Sequence, residues 1–168
     1  MVADALVRRW SLSGPKDRFR GRLYEGRVGE GLAGGEAGRP LRVALLCPTT
    51  YMNDAGRSVG PARGALRLPL ERVLVVHDEI DLGFGEVRVR VGGGLAGHNG
   101  LKSVARELGG TGFTRVRVGV GRPDSTDPEI VSAYVLGRFR ESDGEVAGLI
   151  DSACAEVERL LLASPAPA

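Results

Sequence analysis

Residues 86–108 constrain the fold more than any other stretch of this chain. Residues 86–91 alternate strictly, with Val87, Val89 and Val91 on one side and Glu86, Arg88 and Arg90 on the other. A period of two is the signature of a strand with one dry face and one wet face. That strand runs into Gly92, Gly93, Gly94, Leu95, Ala96 and Gly97, a loop rich in the residue that tolerates unusual backbone angles, and residues 99–108 then read as a helix. Strand, glycine loop and helix in succession predict an α/β fold. With 26 glycines and 9 prolines among 168 residues, a helical bundle is disfavoured as well.

The rest of the chain extends the same pattern. Val2, Ala5, Leu6 and Trp10 recur at helical spacing, and residues 18–28 alternate loosely through Phe19, Leu23 and Val28. A glycine-rich connection over 29–40 leads to the apolar run 41–47, so the reading is two strands around a loop. Residues 57–66 form a weak helix candidate, interrupted by Gly60 and Pro61. The run 73–76 is the kind a sheet buries on both faces, and 115–120 alternates again. Val146, Leu149, Ile150, Ala153, Val157, Leu160 and Leu161 make one helical stripe, opened by a capping box of Ser142 and Glu145. Residues 164–168 read as a frayed tail. With no internal repeat and no break, residues 1–168 are expected to form one α/β domain with a mixed, mostly parallel β-sheet flanked by helices.

Charge, cysteines and hydropathy mainly exclude. The 23 basic and 21 acidic residues leave a net +2, far from the excess that by itself marks a nucleic-acid binder. Only Lys16 and Lys102 are lysines, and coding bias explains the arginine skew better than phosphate binding does. Cys47 and Cys154 lie far apart and there are two histidines, so no metal-ligand spacing exists and both thiols are expected to be reduced. Asp4 precedes Arg8 and Arg9, the wrong order for a signal peptide, and no apolar run approaches the ~20 residues of a membrane helix. A cytoplasmic location with no membrane association follows.

Three polar clusters could carry chemistry. Residues 92–97 fit G-x-G-x-x-G, but no acid follows at the end of the next strand, and His98 and Asn99 stand where a P-loop needs Lys and Ser or Thr. Thr49, Thr50, Tyr51, Met52 and Asn53 follow the run 41–47, and His77, Asp78 and Glu79 follow the run 73–76. Ligands of open α/β sheets sit beyond the carboxyl ends of strands, so these clusters could converge on one crevice. Asn and Asp also simply stabilise turns, and spacing alone leaves the two readings equal.

The stretches PTTYMNDAG (48–56), VVHDEIDLGFGEVRVRVGGGLAGHNGLKSV (75–104) and FTRVRVGVGRP (113–123) resemble the three signature stretches of bacterial peptidyl-tRNA hydrolases, in order and at the family's spacing. The resemblance covers residues 6–162. It implies hydrolysis of the ester between a peptide and the 3′ ribose of tRNA, without cofactor or metal, by a monomer. Residue by residue, it implies that Asn53 and Asn99 hold the peptide and ester groups as donors where charge develops. Asp78 would orient a catalytic histidine, as a triad carboxylate does. Tyr51 and Met52 would line the site with His98, and Arg90 and Arg117 would match the family's basic pair that clamps tRNA phosphate.

The sequence departs from the family at its front. Members begin with a central strand, a loop supplying an asparagine and a stretch supplying the catalytic histidine, and residues 1–10 match only the helix that comes next. The first central strand and the catalytic-histidine segment are therefore expected to be lacking, with activity impaired by truncation. Neither remaining histidine replaces the base: strand alternation sends His77 and Asp78 to opposite faces, and His98 matches a non-base position. The rival readings are a non-catalytic tRNA- or RNA-binding relative and, behind it, a nucleotide-binding domain built on residues 92–97.

Overall fold

Two short sheets carry the chain. The computed structural model describes residues 1–29 and 40–163. Apart from its two end residues, the glycine-rich connection expected over 29–40 lies outside the described residues, as does the tail 164–168.

The first sheet is an antiparallel meander of β1 (Ser13–Arg18), β2 (Gly21–Val28) and β3 (Leu41–Pro48). Phe19 and Arg20 take φ of 55° and 52° between the paired Arg18 and Gly21. A two-residue loop with both residues left-handed matches the twist of a hairpin. The strand expected over 18–28 is thus one arm of that hairpin. All six residues of β1 are exposed, so no apolar alternation announced it.

The second sheet holds β4 (Leu74–Glu79), β5 (Val87–Val91) and β6 (Thr114–Gly119) in the order β4-β6-β5. Among the described residues only β4 and β6 pair in parallel; β5 runs antiparallel to β6. The expectation of one mostly parallel sheet is therefore corrected, although the mixed α/β character holds. Parallel neighbours require a long crossover, and the described strands contain one, from β4 through β5 and a helix to β6. No strand bridges β3 and β4 among the described residues.

The dry face of the second sheet packs under α1 (Val2–Arg9) and α5 (Asp143–Ala163). Val116 and Val118 meet Leu6, Leu149, Ala153, Cys154 and Val157 there, all buried. The capping box forms as read: Glu145 N donates to Ser142 Oγ at 3.3 Å, and Ser142 N donates back to Glu145 at 2.9 Å.

A second apolar cluster of Leu101, Val104, Leu108 and Phe113 lies under α2 (Gly56–Leu66) and α3 (Asn99–Leu108). Helix α2 forms in spite of Gly60 and Pro61 because its glycines allow close approach. A Cβ at Gly56 would overlap the Ser103 carbonyl, and one at Gly60 would lie 3.1 Å from Glu107 Cβ. Tertiary packing here overrides propensity. Helix α4 (Pro128–Leu136) was not anticipated, although Asp127 as N-cap and Pro128 in the first turn were a usable signal.

Candidate functional site

The polar face of the second sheet is built by register. Since Val116 and Val118 point into the core, Arg115 and Arg117 face the other way. Arg117 stands opposite His77 on β4 and Arg88 on β5, while Arg115 stands opposite Arg90. Four arginines, His77 and Glu79 therefore share one face. Arg117 Nε donates to Glu79 Oε2 at 3.0 Å. Asp78 lies opposite Val118 on the other face, so His77 and Asp78 form no dyad.

His77 is buried. Its Nδ1 lies 2.7 Å from the Asp78 carbonyl oxygen and donates to it, and its buried Nε2 has no hydrogen-bond partner among the described residues. Burial holds its pKa below the ordinary histidine value, so the ring is neutral near pH 7. The His98 ring meets it edge-on at 5.0 Å. His98 caps α3, its Nδ1 accepting from Gly100 N at 3.1 Å and Leu101 N at 3.3 Å. That acceptor role places the proton of the neutral ring on Nε2.

The glycine loop between β5 and His98 takes positive φ at Gly92, Gly93, Ala96 and Gly97. The Arg115 guanidinium donates to the Gly94 carbonyl at 3.0 Å and also to the Gly92 carbonyl. Above the loop lies Arg90, with Nη2 only 2.7 Å from where a Cβ at Gly93 would sit.

The 3-10 turn Met52–Asp54 packs on the start of α3, with Met52 Sδ filling the space a side chain at Gly100 would occupy. Gly56 N donates to Ser103 Oγ at 3.0 Å and ties the two elements together. Asn53 and Asn99 thus stand exposed at the ends of two packed elements, with Tyr51 and Met52 also exposed beside them. Among the described residues neither asparagine amide nor the Asp78 carboxylate makes a hydrogen bond. Met52 and His98 therefore flank Gly100 at the start of α3, with Asn53 on the turn packed there and Asn99 next to His98, and His98 meets His77, while Asp78 sits one residue further, at the carboxyl end of β4. Two free amides beside the exposed Tyr51 and Met52, with the exposed Arg90 on the polar face of the sheet, suit an anionic ligand with a carbonyl to polarise. Among the described residues no three His, Cys, Asp or Glu side chains gather as a metal site. The sequence reading missed Glu79 as partner of Arg117 and Arg115 as the clamp of the loop. Its one clue to the clamp was alternation, which set Arg115 on the same face as Arg117.

A family model described as peptidyl-tRNA hydrolase matches residues 1–166. Because the match starts at the first residue, it does not support the expectation of a lacking front segment. The peptidyl-tRNA hydrolase of Granulibacter bethesdensis is 44% identical over 161 residues, covering 96% of this chain and 77% of the relative. That of Gloeobacter violaceus is 40% identical over 164 residues, covering 97% and 77%. The crystal structure of peptidyl-tRNA hydrolase from Acinetobacter baumannii superimposes with a TM-score of 0.78 at 33% identity, over 95% of this chain and 76% of that one.

Proposed function

The chain belongs to the peptidyl-tRNA hydrolase family, and from that premise we propose that it hydrolyses the ester between a peptide's C-terminal carbonyl and the 3′ ribose of tRNA, freeing both. The observation that carries this reading is the family match over 1–166, which spans the packed pair of elements bearing Asn53 and Asn99. In the proposed reaction a water molecule attacks the ester carbonyl, and the two amides donate to the oxygen as negative charge develops. A general base takes the proton of that water, and the ribose oxygen leaves with a proton. Asp78 orients the base, Tyr51, Met52 and His98 line the site, and Arg90 and Arg117 face the tRNA phosphates.

His77 is an unsuitable base: its Nδ1 is tied to a backbone carbonyl and its ring lies on the face opposite Asp78. The Nδ1 of His98 is engaged in capping α3. We therefore place the imidazole that Asp78 orients outside these residues, a reading supported by the Asp78 carboxylate, which makes no hydrogen bond among the described residues. The protein is proposed to act as a cytosolic monomer without cofactor. Among the described residues no helix is long and apolar enough to cross a membrane.

The test is release of labelled peptide from peptidyl-tRNA, by the 168-residue chain and by the same chain extended with upstream coding sequence. Turnover by the extended chain and little by the short one supports the proposal in full, and equal turnover by both removes the outside base. Tight tRNA binding with no turnover from either selects the second reading, a non-catalytic RNA-binding relative.

A further inference from the structure

We infer that Arg115 is a positioning residue, whose buried guanidinium holds the glycine loop so that Asn99 and Arg90 stand where the proposed reaction needs them. The inference rests on the reading of Asn99 and Arg90 given above. Arg115 is only 2% exposed, and its buried Nε has no hydrogen-bond partner among the described residues. Burial, together with the like charges of Arg90 and Arg117 on the same face, opposes its positive charge and lowers its pKa. A buried cation with a missing hydrogen bond and like-charged neighbours is a poor device for stability alone, because an apolar side chain of similar volume often serves as well or better.

What the guanidinium does hold is specific. Its two terminal nitrogens donate to the carbonyls of Gly92 and Gly94, two residues apart. A planar fork presents two fixed, separate donors to such a pair, whereas an ammonium offers all its donors from one rotating nitrogen. The loop has few other anchors among the described residues: Gly92 N donates to the Phe113 carbonyl at 3.4 Å, His98 N donates to the Leu95 carbonyl at 2.9 Å, Leu95 packs on the second cluster, and Cβ atoms built at Gly94 and Gly97 would meet nothing within 4 Å. Beyond the loop, the chain passes at once into the His98 cap and Asn99. Arg90 lies across Gly93, so loop position also sets where its charge is presented. One buried side chain thus governs an ester-facing amide and a phosphate-facing cation without touching either ligand.

The experiment compares the wild-type chain with Arg115→Met and Arg115→Lys. Three quantities are read: amide hydrogen exchange of residues 93–99, melting temperature, and kcat and KM in whichever chain the peptide-release assay finds active. For Arg115→Met we expect loop amides to exchange at least about tenfold faster through local opening, with a melting temperature close to wild type. The loss in activity should fall mainly on kcat, by about tenfold or more, as expected for a misplaced transition-state donor. Arg115→Lys, which keeps the charge and one carbonyl contact, should recover part of it. Unchanged loop exchange in Arg115→Met overturns the inference, and so does an activity loss confined to KM or matched by the loss in melting temperature. If Arg115→Met does not fold, Arg115→Lys carries the same comparison. Failure of both the 168-residue and the extended wild-type chain on peptidyl-tRNA defeats the proposed function separately, and loop exchange then decides the role of Arg115.

Discussion

Arg117 and Glu79 form an ion pair across the parallel strands β6 and β4, Nε to Oε2 at 3.0 Å, with side chains 18% and 10% exposed. On the same face, Arg90 is exposed and makes no ion pair among the described residues. Two arginines that look alike in alternating strands therefore differ in how much of their charge is free. Arg90 offers its charge outward, and Arg117 spends part of its own on a carboxylate.

Removing the Arg117 side chain should leave Glu79 largely buried and unpaired. We expect Arg117→Ala to cost about 2 kcal/mol in urea unfolding, between the values for exposed and fully buried pairs. Adding Glu79→Gln should recover part of that loss, and a double variant no more stable than the single one would show that the pair is not the cause.

For Arg90 the effect should be electrostatic. Arg90→Ala is expected to weaken binding similarly for all tRNAs and to reduce the slope of log affinity against log salt by about one phosphate contact. An unchanged slope would reduce Arg90 to a solvated strand-face residue.

Asn53 and Asn99 should act on the ester rather than on the tRNA body. In the active chain, Asn53→Ala or Asn99→Ala is expected to lower kcat on the order of a hundredfold, the usual cost of one lost oxyanion-type donor, with tRNA affinity near wild type. Lost affinity with kcat intact would make them tRNA-positioning or turn residues.

His77 gives the fold a pH dependence with a definite sign. Burial lowers its pKa in the folded chain below the ordinary 6.5, so the unfolded chain takes up the proton first as pH falls. Its contribution is full above about pH 6.5, the ordinary histidine value, and is lost as pH falls below it. Urea midpoints measured between pH 8 and 5 should decline, and His77→Phe should flatten the decline. Parallel curves for the two proteins would count against this origin.

Gly56 keeps α2 on α3. Because a Cβ there would overlap the Ser103 carbonyl, Gly56→Ala should destabilise by about 1–3 kcal/mol, the range for overpacked cores, in spite of alanine's better helix propensity. A gain in melting temperature would show that the helices part without strain.

Local signals were legible because their physics is local. The alternation of Val87 and Val89 with Arg88 and Arg90 needs only a pleated backbone, and the box of Ser142 and Glu145 closes within one helical turn. Helix α3 begins and ends where its sequence says, at Asn99 after the His98 cap and at Leu108 before Gly109. The stretches around Asn53, Asp78 and Asn99 likewise marked the candidate site without any structure. What tertiary structure decided is strand order and everything that depends on it. Whether the run 73–76 neighbours a parallel or an antiparallel strand is not written in its own residues, and the expected single, mixed and mostly parallel sheet became two sheets with one parallel pair among the described residues. Strand β6 lies between β4 and β5, so Arg115 and Arg117 are flanked on both sides and are drawn into bonds with loop carbonyls and Glu79. Among the described residues strand β5 pairs on one side only, and Arg90 is exposed. The same residue type at the same alternation becomes a buried clamp on a central strand and a free charge on an edge strand, because neighbours distant in sequence determine which of its donors water can reach.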